Sequence, residues 1–169
     1  DSSGRFAFDV LLPGSYTVTA EAPHLSALGQ PPLRLPVTVG DSLVTPLRVV
    51  IPSQRSAIAR LCGEHAVTDA LALLRVIVTD SATLSPAQDA TVQASWYDSF
   101  TRQGGSFTAA KTHRAARQIL PGVFWLCAAP KDRVIVLEIT RGARSITAET
   151  RIPLEAVFAD HRVRVGSPR

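Results

Sequence analysis

Asparagine and methionine are missing from these 169 residues, and lysine is nearly so, at Lys111 and Lys131 only. Without asparagine there is no N-glycosylation sequon. The two cysteines, Cys62 and Cys127, stand too far apart for a Cys-x-x-Cys metal or redox pair. The four histidines, His24, His65, His113 and His161, form no His-x-x-x-His pair, so no metal ligation is expected. No Gly-x-Ser-x-Gly elbow, P-loop or Gly-x-Gly-x-x-Gly turn occurs, and the carboxylates are dispersed. No catalytic residue and no cofactor is therefore expected. No apolar run approaches the ~18–20 residues of a spanning helix. With no methionine at its head and Asp1 as first residue, the chain is expected to be processed or a fragment.

What is present is arginine and β-branched residues. Sixteen arginines leave a net charge of +4. Guanidinium binds carboxylate and phosphate through a planar fork, so the surface suits an acidic protein or an anionic lipid surface. High-GC codon usage would give the same composition. The arginines form no dense run, and no nucleic acid partner is expected. Hydrophobic residues at 46% with charged ones at 19% indicate a folded chain.

Helical periodicity is almost absent, and period-2 alternation recurs between Gly, Pro, Asp and Ser breaks. Strands are expected at Arg5–Val10 and Tyr16–Ala20, with a long loop from Pro23 to Pro36. A hairpin around Gly40-Asp41 would join Leu35–Val39 to Leu43–Ile51. Ser53 is placed to cap a short helical turn through Ala59. Seven further strands follow: Leu73–Thr79, Thr91–Tyr97, Ser106–Thr112, Val123–Ala128, Val134–Thr140, Ser145–Ile152 and Arg162–Val165. Pro153–Ala159 reads as one helical turn. Seven short strands in about 100 residues suit a β-sandwich.

An internal repeat runs through this pattern. Gly4-Arg5-Phe6-Ala7-Phe8 matches Gly122-Val123-Phe124-Trp125-Leu126. Val37-Thr38-Val39-Gly40 before Leu43 matches Ile139-Thr140-Arg141-Gly142 before Ser145. The expectation is an all-β fold of tandem immunoglobulin-like sandwich modules, the first incomplete at its N-terminus. Residues 1–55 would be the back half of the first module, 56–70 a junction, and 71–169 the second module. Half a sandwich leaves open edges, so upstream residues or another segment would complete it.

Asp1-Ser2-Ser3-Gly4-Arg5-Phe6-Ala7-Phe8, with Leu12-Pro13-Gly14-Ser15-Tyr16-Thr17-Val18, resembles the carboxypeptidase-regulatory-like (transthyretin-like) domain. Arg75–Asp80, Pro86 and Ala90-Thr91-Val92 are similar to its second hallmark. The resemblance implies a seven-stranded prealbumin-like sandwich without catalysis, used as an appendage, spacer or docking platform in exported bacterial proteins. Ile119 stands where that pattern has an acidic residue three before Gly122. Phe100–Gln118 reads as an insertion that would carry specialised contacts.

Two cysteines in an exported sandwich suggest one disulfide, Cys62 to Cys127, stapling the junction to the second module; two buried thiols are the alternative. Trp96, Tyr97, Phe100 and Arg102, with Arg114 and Arg117 nearby, form the candidate interface. Trp, Tyr and Arg are enriched at interface hot spots, and Trp96 and Tyr97 must face opposite sides of a strand. The expected role is a non-catalytic docking protein, periplasmic and extrinsic to a membrane assembly. A subunit bracing a photosynthetic reaction centre in its light-harvesting antenna is one example. The alternatives are a carbohydrate-binding accessory module, with an exposed aromatic platform, or the appendage of an exported hydrolase.

Overall fold

The computed structural model describes residues 4–9, 11–40, 47–103 and 106–166, with 99–103 and 106–108 described by backbone alone. Strands account for 54% and helices for 12%, so the chain is mostly β. It divides into two compact units, Asp1–Ala57 and Ile58–Arg169.

In the first unit β1 (Gly14–Ala20) pairs antiparallel with β2 (Leu33–Val39), from Gly14↔Val39 to Ala20↔Leu33. Between them lies α1 (Pro23–Ala27), started by a proline that lacks the N–H a first turn leaves unused. Residues 5–9 form no strand, despite their alternation, and Val10 lies outside the described residues. Period 2 selects a strand where one face is buried; here residues 4–9 are all exposed, and Phe6 and Phe8 merely stack edge to face. The turn of the hairpin expected at Gly40-Asp41 falls largely outside the described residues. Residues 47–51 are irregular, and 41–46 lie outside the described residues. Instead β2 takes β1 as its partner, and Pro36 has no N–H to offer a third strand. A helix, α2 (Gln54–Cys62), runs from the first unit into the second. Ser53 caps it as expected, its hydroxyl accepting from the Ser56 N–H at 3.2 Å, but the helix continues to Cys62.

The second unit holds all seven expected strands. One sheet has β3 (Leu71–Asp80) and β7 (Val123–Pro130) at its centre, with β10 (Phe158–Val165) and β6 (Arg117–Leu120) at its edges. The other has β4 (Ala90–Gln103) and β8 (Val134–Arg141) between β5 (Ser106–Ala115) and β9 (Arg144–Arg151). Every pairing is antiparallel except β10 with β3. Val76, Val78, Phe124, Leu126 and Val165 of the first sheet share one core with Val92, Trp96, Ile135, Leu137 and Ile139 of the second. These residues alternate along their strands, so the core is the two inner faces of a two-layer structure. A helical turn at Pro153–Ala159 does not form; β10 begins at Phe158, drawn into the parallel ladder by Phe158↔Leu73. The four-residue β6 shows no alternation and was not expected.

Gly122 sets the turn from β6 into β7. Its φ is +69°, and an added Cβ would stand 2.5 Å from the Val78 carbonyl oxygen and 2.9 Å from the Ala87 nitrogen. Its own carbonyl accepts from the Val78 N–H at 2.7 Å. Backbone blocks this side chain, so neither neighbour can rotate away. Gly122→Ala is expected to cost roughly 2–5 kcal/mol of unfolding free energy, from left-handed strain plus overpacking. Gly40→Ala, into open space, is the control and should shift the denaturant midpoint little.

Candidate functional site

The β4 strand puts Val92, Ala94 and Trp96 inward and Gln93 and Tyr97 outward. Trp96 is 3% exposed and Tyr97 is 51% exposed. Of this pair Tyr97 is the exposed side chain and Trp96 lies in the core. Pairing of β4 with β8 ends at Ser95↔Val136, whereas pairing with β5 runs on to Gln103↔Ser106. From Trp96 onward β4 and β5 are therefore a two-stranded ribbon projecting past the sheet. The insertion expected over Phe100–Gln118 is largely this ribbon's return strand and β6. Phe100 and Arg102 lie in the ribbon opposite Ala109 and Phe107; their side chains are outside the described residues.

One extra residue, Asp98, interrupts the ladder between Tyr97↔Lys111 and Ser99↔Ala110. Its carboxylate accepts from Trp96 Nε1–H at 2.6 Å, from the Thr112 hydroxyl and from Arg133 Nη1 at 3.4 Å. Arg133, just before β8, also donates to the Tyr97 carbonyl at 2.8 Å and to the Asp98 carbonyl. The Thr112 hydrogen bond, with Trp96 and the guanidinium charges, holds the Asp98 carboxyl below its ordinary value against partial desolvation.

A second irregularity faces the first. In β7 the register passes from Ala72↔Ala129 to Leu74↔Leu126, so Cys127 and Ala128 together oppose Leu73. Ala128 has φ +54°. Arg114, in β5 opposite Ala94, donates to the Cys127 carbonyl at 2.8 Å and leans toward Ala128 O at 3.4 Å. Its guanidinium lies 5.7 Å from the Trp96 ring centre. Cys127 is disulfide-bonded to Cys62 at the end of α2. One corner thus joins α2, both sheets and the ribbon's root. Arg117 is elsewhere: it sits in β6 opposite Trp125, on the outer face of the first sheet.

The outward side at the ribbon's root is polar. Lys111 Nζ lies 6.0 Å from the Tyr97 ring centre. Lys111, His113, Gln93, Ser95 and Glu138 line a shallow depression beside it. Trp125 is 5% exposed, so neither tryptophan offers the platform a sugar-binding site would use. Among the described residues no three His, Cys, Asp or Glu converge on a metal position. Asp98, Thr112 and Arg133 had not been picked out by sequence reasoning. The only hint was Asp98 two residues past Trp96, where a strand reading places a solvated side chain. The chain matches no known protein family, no curated protein and no solved structure.

Two tests address this corner. The disulfide closes a loop across 65 positions, and removing it with Cys62→Ala plus Cys127→Ala should cost about 4 kcal/mol in the chain-entropy account. Equal urea midpoints with and without reductant would remove the staple from the account. The second test is acid. Because folding holds the Asp98 carboxyl below 3.8, the unfolded chain takes up this proton first as pH falls. The stability it lends is complete above that value and disappears as pH drops through the lowered folded value. Wild type should exceed Asp98→Asn in unfolding free energy near neutrality, with the gap closing below about pH 4.

Proposed function

We propose that this chain is an exported, non-catalytic docking protein built on prealbumin-like β-sandwich modules, and that the β4–β5 ribbon is the arm that meets its protein partner. The observation that carries this reading is the ribbon itself. The eight residues of β4 from Trp96 to Gln103 have β5 as their only strand partner, with Asp98 as the bulge, enough for an arm of roughly 25 Å. Its root is tied by Asp98, Arg133 and Arg114. A stiff root lets an arm present Tyr97, and the positions of Phe100 and Arg102, with little ordering cost on binding. Export is supported by the disulfide, since such bonds persist in oxidising compartments. No helix among the described residues is long and apolar enough to cross a membrane, so attachment to a membrane assembly would be extrinsic. The modular reading is supported by the repeat: Gly4 and Gly122, which open its two copies, both have left-handed φ, +75° and +69°.

Replacing residues 100–109 by Asn-Gly closes Ser99 onto Ala110 with a two-residue hairpin turn. The shortened protein should keep its thermal midpoint, since Asp98, Thr112 and Arg114 remain, and should lose its partner in mild-detergent co-purification. Wild-type recovery of the partner by the shortened chain would reject the ribbon as the arm. A native protein that runs alone from such extracts would reject the docking role.

A further inference from the structure

We infer that the outer face of the β10–β3–β7–β6 sheet is a docking surface for an anionic membrane, read by Arg117, Arg162 and Arg164. Strand alternation assigns the face. Val163 and Val165 point into the core, so Arg162 and Arg164 point outward, opposite Ile77 and Thr79 of β3. Arg117 joins them from β6 at the other edge, opposite Trp125. All three are exposed. Strands lie about 4.8 Å apart and residues of one face about 6.6 Å apart along a strand. The guanidiniums therefore spread over a patch on the order of 15 Å across.

The charge on this face is not cancelled locally. Its acidic residue, Asp160, is held by Arg75 in a two-point contact at 2.6 and 2.7 Å. No described residue forms an ion pair or hydrogen bond with the side chains of Arg117, Arg162 or Arg164. Between them runs an apolar strip of Ile77, Val123 and Leu120, and Leu120 is 57% exposed. The opposite end of the face is covered: Leu73 and Trp125 are buried there, and the 3-10 turn Glu64–Ala66 lies against β3 and β7. Within this unit Arg162 and Arg164 lie beyond that cover and Arg117, level with Trp125, lies at its margin.

These features select a membrane over an acidic protein. The arginines are dispersed across the edge strands of a pleated face. A protein's carboxylates stand at fixed points and would need matching relief. Lipid phosphates diffuse laterally until each meets a guanidinium, and the fork geometry binds a phosphate at two points. The apolar strip lies level with the charges, where it would meet the headgroup–acyl boundary. This surface is on the sheet that does not carry the ribbon, and the inference stands independently of the ribbon's role.

The test is co-sedimentation with vesicles of equimolar phosphatidylcholine and phosphatidylglycerol, compared with pure phosphatidylcholine. Wild type should bind the anionic vesicles, release them as salt is raised, and ignore the neutral ones. Arg117→Gln, Arg162→Gln and Arg164→Gln together should weaken binding roughly a hundredfold, about fivefold per arginine, at an unchanged thermal midpoint. The ribbon-shortened chain should bind as wild type does. A control triple of equal charge, Arg34→Gln, Arg48→Gln and Arg60→Gln, should lose far less. Equal losses in the two triples, equal binding to neutral vesicles, or capture by polyglutamate without capture by anionic vesicles would each overturn the assignment.

Discussion

The extra residue in β7 is the constraint on which the second unit depends. Cys127 and Ala128 together oppose Leu73, so the ladder to β3 cannot pair both residues. Arg114 supplies the missing donor from the opposite sheet. The same guanidinium lies over Trp96. Cys127 follows the core residue Leu126 and so points to the outer face, where it meets Cys62. Past the extra residue the alternation resets, and Ala129 returns to the core. The disulfide and the Arg114 contact thus meet at one irregularity.

At the other end of the strands, a second polar clasp does the same work by different chemistry. Asp80 closes β3, and its side chain is 3% exposed. One oxygen accepts from the Ala82 and Thr83 N–H groups and shapes the loop; the other accepts from Arg141 of β8 at 2.6 Å. Arg141 also donates to Asp89, at the entry to β4, at 2.7 Å. The two carboxylates raise the Arg141 guanidinium above its ordinary value. Such a pair is weak evidence for net stability, because desolvation offsets the attraction. What it supplies is position: the loop and two sheets can close on this guanidinium in one register only. Asp80 and Leu73 are seven residues apart, so the two clasps bracket the apolar core at a separation of roughly 23 Å.

How much of this was legible in the sequence follows from the range of each interaction. The seven strands of the second unit were readable because each repeats its pattern within a few residues, and burial enforces that pattern. Arg5–Asp9 carries the same alternation without a buried face, and it stays irregular. β6 was hidden for the opposite reason: Arg117–Leu120 is too short to show a period, and β7 recruits it through the ladder. The start of β10 looked helical from local spacing, yet it obeys a parallel partner more than eighty positions away. The pairing of Cys62 with Cys127 was accessible because only two cysteines exist. Arg114 to Cys127, Asp98 to Thr112 and Arg141 to Asp80 were not, since nothing in a single chain marks which polar groups will face one another across two sheets.

The arginines take different parts once the chain is folded. Composition alone records sixteen of them, which codon usage accounts for more readily than a binding surface does. Placed in the fold, they separate. Arg75, Arg114, Arg133 and Arg141 each close a contact with a carboxylate or a backbone carbonyl, and their charge is answered within the molecule. Arg117, Arg162 and Arg164 face outward with no answering group among the described residues. A guanidinium left exposed in water contributes little to folding, so folding gives no account of why three should gather on one face around an apolar strip. Their mutual repulsion is small in water and is screened further by salt. The same division runs through the aromatics: both tryptophans are enclosed, whereas Tyr97 stands out at the base of the ribbon. Tyr97 on β4 and the three arginines on β6 and β10 are thus exposed without a part in the core.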